Sequence, residues 1–185
     1  MTRVYLVTAG QTNWDTEERI QGNLSVPLNA HGVVQMARLA AEKSDVAVQA
    51  IFSGQSQDTV QTADILAKAW GGKVRRTEAL NEVDLGFWQG LPQADVAKRF
   101  GAVYKRWLRA PLSVEPPDGE TLDAAYRRVA TEMRRICQRH RDGSVGVVCG
   151  PLAAALVKCY LKDLDIAESL SLCGAPGRCE IIDCR

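Results

Sequence analysis

Histidine is nearly missing from this chain: only His31 and His140 occur in 185 residues. The six cysteines, Cys137, Cys149, Cys159, Cys173, Cys179 and Cys184, form no C-x-x-C pair. The spacing of a zinc site is therefore absent, and neither a metal nor any other cofactor is expected. Lying in apolar stretches, the cysteines read mostly as small buried hydrophobes. No apolar run approaches the ~20 residues that a helix needs to cross a bilayer. Residues 1–7 read as a strand and not as a leader, so no membrane association is expected and the chain is read as cytoplasmic. A basic surplus is missing too. Lys+Arg 23 against Asp+Glu 22 leave a net charge near zero, without the excess cation that nucleic-acid binding usually needs. No repeat, linker or low-complexity stretch divides the sequence, and 46% apolar content supports a real core. A single domain over 1–185 is the expectation.

What is present is an alternation of strand and helix patterns. Residues 4–7 are a buried strand running toward Gly10. Asn29 can cap a helix in which Val33, Val34, Met36, Ala37, Leu39 and Ala40 recur at roughly helical spacing. Residues 46–52 suggest a second strand and 56–70 a second helix, with Val60, Ala63, Ile65, Leu66 and Ala67 inward and Gly71-Gly72 stopping it. A shorter strand follows at 73–76, then a loop over 82–91, a helical stretch over 92–107 and a proline-rich irregular segment over 111–119. The clearest helix is 120–140, where Leu122, Ala125, Tyr126, Val129, Met133, Ile136 and Cys137 form one apolar stripe. Arg127, Arg128, Arg134, Arg135 and Arg139 are assigned to its solvated side. Residues 145–149 form a third buried strand that turns at Gly150-Pro151 into the apolar segment 152–161, and 180–184 offer a closing strand.

This alternation predicts an α/β fold, a three-layer α/β/α sandwich around a mostly parallel sheet. Its ligand crevice is expected at the carboxyl ends of the strands, where the loops at 8–14, 53–59 and 149–152 converge. One decoy is set aside. Cys179 and Arg185 have the spacing of a cysteine-phosphatase loop, but Glu180 and Asp183 between them would repel phosphate and no glycine lets the backbone approach it.

The ordered motifs Leu6-Val7-x-x-Gly10-x-Thr12-x-Trp14, Arg19-Ile20-Gln21-Gly22 and Pro27-Leu28-Asn29-x-x-Gly32-x-x-Gln35 resemble the histidine phosphatase superfamily, also called phosphoglycerate mutase-like. Further matches follow in family order: Ala50-Ile51-Phe52-Ser53 with Gln61-Thr62-Ala63, Leu80 to Gly90 around Glu82 and Trp88, and Pro116-Pro117-x-Gly119-Glu120. The resemblance covers nearly the whole chain and implies the phosphoglycerate mutase-like fold. It also implies a phosphate pocket whose first strand ends in Arg-His-Gly, the histidine being the nucleophile. Here those positions hold Thr8-Ala9-Gly10. A second phosphate-clamping arginine corresponds to Asp58, and the family's second histidine, in a His-Gly pair, to Cys149-Gly150. Only the acid/base carboxylate has a counterpart, Glu82. Gly10, Gln11, Asn13, Gln21 and Gly150 are the remaining residues expected to line the pocket.

Phosphoryl transfer depends on positioning and on positive charge aimed at the transferring oxygens. With a carboxylate in the clamp position, each unit-charge pair at ~5 Å and an effective dielectric of about 20 would cost roughly 3 kcal/mol. These features lead to the expectation of a pseudophosphatase that binds a protein partner or a non-phosphate small ligand. The alternative is an enzyme with a rebuilt site using Glu82, Asp58 or Cys149. In that alternative Cys149 would need a nearby cation or helix N-terminus to lower its thiol pKa, and Asp58 and Glu82 work the other way. Glu82 is either a working acid/base or a carboxylate that only hydrogen-bonds within its loop. Trp14 and Trp88 either pack structurally or cover the crevice. A homodimer through Phe87-Trp88 or residues 164–172 is a further expectation.

Overall fold

A computed structural model describes residues 1–184. Its five strands are β1 (Thr2–Thr8), β2 (Ala50–Ser53), β3 (Lys73–Arg76), β4 (Ser144–Cys149) and β5 (Cys179–Cys184). They form one sheet in the order β3-β2-β4-β1-β5. β1, β2, β3 and β4 pair in parallel, and β5 closes the sheet antiparallel to β1. Seven α-helices accompany them: α1 (Asn13–Thr16), α2 (Ala30–Glu42), α3 (Gln57–Trp70), α4 (Gln93–Arg99), α5 (Gly101–Arg109), α6 (Leu122–Arg139) and α7 (Pro151–Lys162). This is the α/β architecture with a mostly parallel sheet that the alternation predicts.

Strand alternation sends successive side chains to opposite faces. Leu6, Phe52 and Val147 join a core with α6 and α7 residues such as Val129, Met133 and Leu156. Val7, Ile51 and Val148 join a second core with Met36, Leu66 and Trp70 from α2 and α3. The edge strand β3 carries Lys73, Arg75 and Arg76 exposed, charges that discourage pairing with another sheet.

Several expectations need correction. The second strand is confined to Ala50–Ser53; Val46 and Val48 are buried but lie before it in irregular chain. On α2 the inward residues are Gly32, Met36 and Ala40, whereas Val33 and Val34 are 44% and 66% exposed. The stretch 92–107 is two helices, broken at Phe100. Arg128 does not belong to the solvated side of α6, as described below. Cys173 is exposed and Cys179 half-buried, unlike the other four cysteines. Trp88 is fully buried beside Phe100, Tyr104 and Trp107 with ring centroids 5.4–6.2 Å apart. Its role is therefore packing, and it cannot supply a dimer face with the exposed Phe87. Leu170 and Leu172 likewise pack against the core. Arg185 of the decoy motif lies outside the described residues, and Cys179 opens β5. No helix among the described residues is long and apolar enough to cross a membrane.

Candidate functional site

The carboxyl ends of β1 and β4 lie side by side, with Thr8 opposite Cys149 in the parallel register. The backbone there is fixed from several directions. Ala9 N–H donates to the Cys149 carbonyl (2.9 Å), and Thr8 N–H to that of Arg178 (2.9 Å). Gly177 N–H is shared between the Thr8 and Ala9 carbonyls (3.1 and 3.0 Å). Gly10 N–H donates to Thr62 Oγ1 on α3 (3.1 Å). Thr8 and Ala9 are each only 4% exposed, so the first loop presents a methyl and a hydroxyl and no titratable group. Cys149 is wholly buried. Burial pushes its thiol far above the ordinary range, the neighbouring Glu82 charge adds to this, and Arg128 opposes it only in part. A thiol so displaced holds almost no thiolate at neutral pH and is a poor nucleophile.

Asp58 sits in the first turn of α3, 4% exposed. One carboxylate oxygen accepts from Ser56 Oγ (2.5 Å) and the other from Gln21 Nε2 (3.0 Å). Burial raises its pKa, while the bonds from Ser56 and Gln21 pull it back. The structure thus brings together two of the sequence-derived positions, Gln21 and Asp58.

Glu82 is engaged at the start of α7. That helix begins at Gly150-Pro151 with no side-chain cap of its own, which leaves its first N–H groups in need of acceptors. Glu82 supplies them: its carboxylate accepts from Leu152 N–H and Ala153 N–H, both at 2.8 Å, and from Val83 N–H at 2.7 Å. A Cβ on residue 150 would lie 2.4 Å from Glu82 Oε2, so only glycine lets the carboxylate reach the helix. Burial pushes the Glu82 pKa up to about 7, held from rising further by those three N–H donors and Arg128.

Arg128 is the residue that pattern reading missed. Its guanidinium donates to the carbonyls of Ala79 (3.0 Å), Asn81 (2.8 Å) and Glu82 (3.2 Å) and forks onto the Glu120 carboxylate (2.5 and 3.1 Å). It therefore fixes the loop that carries Glu82 to α6. Beside it lies a cavity of about 230 Å³ lined by Asn23, Glu78, Asn81, Glu82, Asp84, Glu120 and Arg128.

The other pocket-lining expectations have more local partners. Gln11 N–H donates to Gln35 Oε1 (3.2 Å) and Gln11 Oε1 accepts from Asn29 Nδ2 (3.1 Å), tying this loop to the start of α2. Asn13 is exposed at the first position of α1, and Trp14 lies beside Gly90. His31 is exposed on α2, and His140 closes α6 with Nδ1 2.8 Å from Gln49 Oε1, before the amino ends of β2 and β4 and so away from these loops. No group of three or more His, Cys, Asp or Glu among the described residues is arranged to hold a metal ion.

Comparison with known proteins matches the same architecture. Residues 4–185 fit the family model of the histidine phosphatase superfamily, branch 1. The chain is 29% identical over 168 residues to phosphoserine phosphatase 1 of Hydrogenobacter thermophilus, spanning 91% of this chain and 80% of that protein. It is 36% identical over 191 residues to the probable phosphoglycerate mutase GpmB of Escherichia coli O1:K1 / APEC, spanning 93% and 88%. Among solved structures, Bacillus stearothermophilus YhfR superposes with a TM-score of 0.92 over 99% of this chain and 91% of that one, at 24% identity. The chain belongs to the histidine phosphatase superfamily, branch 1.

Proposed function

We propose that this chain is a histidine phosphatase-like protein that performs no phosphohistidine chemistry and acts by binding at the crevice formed by the carboxyl ends of its strands. The single observation that carries this reading is the side-chain content of that crevice. A buried alanine, Ala9, follows the first strand, and a buried carboxylate, Asp58, already hydrogen-bonded to Ser56 and Gln21, occupies the position assigned to a phosphate clamp. Phosphoryl transfer draws most of its rate from donors and cations arranged around the transferring oxygens, and Thr8, Ala9, Asp58 and Cys149 offer no cation. The occupant would be a non-phosphate small ligand or a protein partner, and the domain assignment over 1–185 belongs to the same proposal.

A second reading is favoured by the relatives, which bear the names of phosphatases and mutases: a phosphatase-family enzyme with a rebuilt site. Glu82, with a pKa near 7, is its best general acid/base, since such a value suits proton transfer at neutral pH. Hydrolysis of a generic phosphate ester by the purified protein separates the two. The first reading expects no turnover above a heat-treated control. Turnover abolished by Glu82→Gln would establish the second.

A further inference from the structure

The segment before α2 bridges the 85–93 segment and the start of α3 and is held at both margins. Toward the 85–93 segment, Ile20 N–H donates to the Leu91 carbonyl (3.0 Å), Gly90 N–H to that of Ile20 (2.7 Å), and Gln93 N–H to that of Glu18 (2.9 Å). Gln89 Oε1 accepts from Asn23 N–H (2.7 Å). Gly22 permits this crossing: its φ of +57° suits glycine, and a Cβ there would overlap the Gln89 side chain. Toward α3, Asp58 N–H donates to the Val26 carbonyl (3.0 Å) and Gln57 N–H to Ser25 Oγ (3.0 Å). The bond from Gln21 Nε2 to Asp58 (3.0 Å) is the member of this set that reaches a buried carboxylate. Asn23, at the middle of the segment, forms a wall of the cavity that reaches Glu82.

We propose that residues 19–26 are a strap closing the crevice, and that the Gln21–Asp58 hydrogen bond is its latch. Asp58 is thus a positioning residue. It acts on access to the crevice by restraining the strap, which carries Asn23 to the wall of the cavity that reaches Glu82. The strap rather than α3 is the mobile partner, because Asp58 is anchored within a helix turn while residues 21–27 carry no helix or strand. The proposal rests on the reading that the crevice is the functional site.

The test is amide hydrogen exchange on the full chain for wild type, Gln21→Ala, Asp58→Ala, Asp58→Asn and the Gln21→Ala/Asp58→Ala double variant. The expected result is exchange over residues 19–26 at least tenfold faster in Gln21→Ala and in Asp58→Ala, with no further acceleration in the double variant. Amides of β1, β4 and α7 stay within about twofold of wild type, and Asp58→Asn, which keeps an acceptor for Gln21, stays close to wild type. Strap exchange unchanged in Gln21→Ala, or effects that simply add in the double variant, would overturn the latch. Acceleration spread over the whole sheet in Asp58→Ala would move the decision to Gln21→Ala, which leaves the Asp58 carboxylate and its Ser56 bond in place. Failure here leaves the phosphate-ester result untouched, and turnover in that assay leaves the exchange result standing.

Discussion

At the scale of single residues, the site is governed by where each buried polar group finds a partner. Glu82 behaves as a cap for α7. Glu82→Ala should lower stability by roughly 1–3 kcal/mol, since it leaves buried N–H groups without an acceptor, and urea unfolding measures this. The same carboxyl makes stability depend on pH. Its pKa is about 7 folded against 4.5 as the reference value, so the folded state binds more protons between those values. That contribution is complete below pH ~4.5 and lost as pH rises through ~7. Unfolding curves of wild type and Glu82→Gln should therefore diverge across this window, with wild type losing more stability on the alkaline side. His140 has the opposite sign. Burial first, then the charges of Arg139 and Arg75, lowers its pKa, and its Nδ1 meets Gln49 Oε1 at 2.8 Å. Its contribution is complete above the ordinary imidazole pKa and is lost as pH falls through the lowered folded value. His140→Asn should flatten that decline in unfolding curves measured at each pH. For Cys149 the expectation is inertness: peptide mapping after iodoacetamide treatment of the folded protein at neutral pH should find it unmodified, because a buried neutral thiol does not attack.

At the scale of elements, the strands and main helices were legible because their apolar periodicities are strong: β1, β4 and α6 match the pattern reading to within a residue or two. The corrections arise where tertiary contact overrides a local signal. Val33 and Val34 suit a helical stripe, yet α2 turns Gly32 inward, where a Cβ would meet the Gln11 carbonyl at 2.1 Å, and the valines face out. Arg128 was indistinguishable in sequence from the other arginines of α6. Only the fold brings three loop carbonyls and Glu120 onto it. Arg128→Ala should cost roughly 2–4 kcal/mol, several charged hydrogen bonds being lost and carbonyls left unpaired, whereas Arg134→Ala on the exposed side should change stability by less than about 0.5 kcal/mol. The cap on α7 left one signal that could have been read: a helix opening at Gly-Pro without Ser, Thr, Asp or Asn calls for an acceptor from elsewhere in the chain.

For the whole molecule, fold and site were unequally legible. Alternating strands and helices, with the ordered glycine motifs, pointed to the architecture and to the loops at the strand ends. The side-chain partnerships of the site were not readable. Gln21 and Asp58 are 37 positions apart, and Glu82 and Leu152 are 70 apart; no local pattern links such pairs. The reading that this crevice is unsuited to phosphate is a statement about its summed charge. The most direct test is thermal unfolding with increasing vanadate or inorganic phosphate, for wild type and for the Thr8→Arg/Ala9→His/Asp58→Arg/Cys149→His variant. The account predicts no stabilisation of the wild type at millimolar anion and a rise in Tm of several degrees in the folded variant, as expected when a ligand binds only the native state at about a hundred times its Kd. Saturable stabilisation of the wild type by vanadate would contradict it.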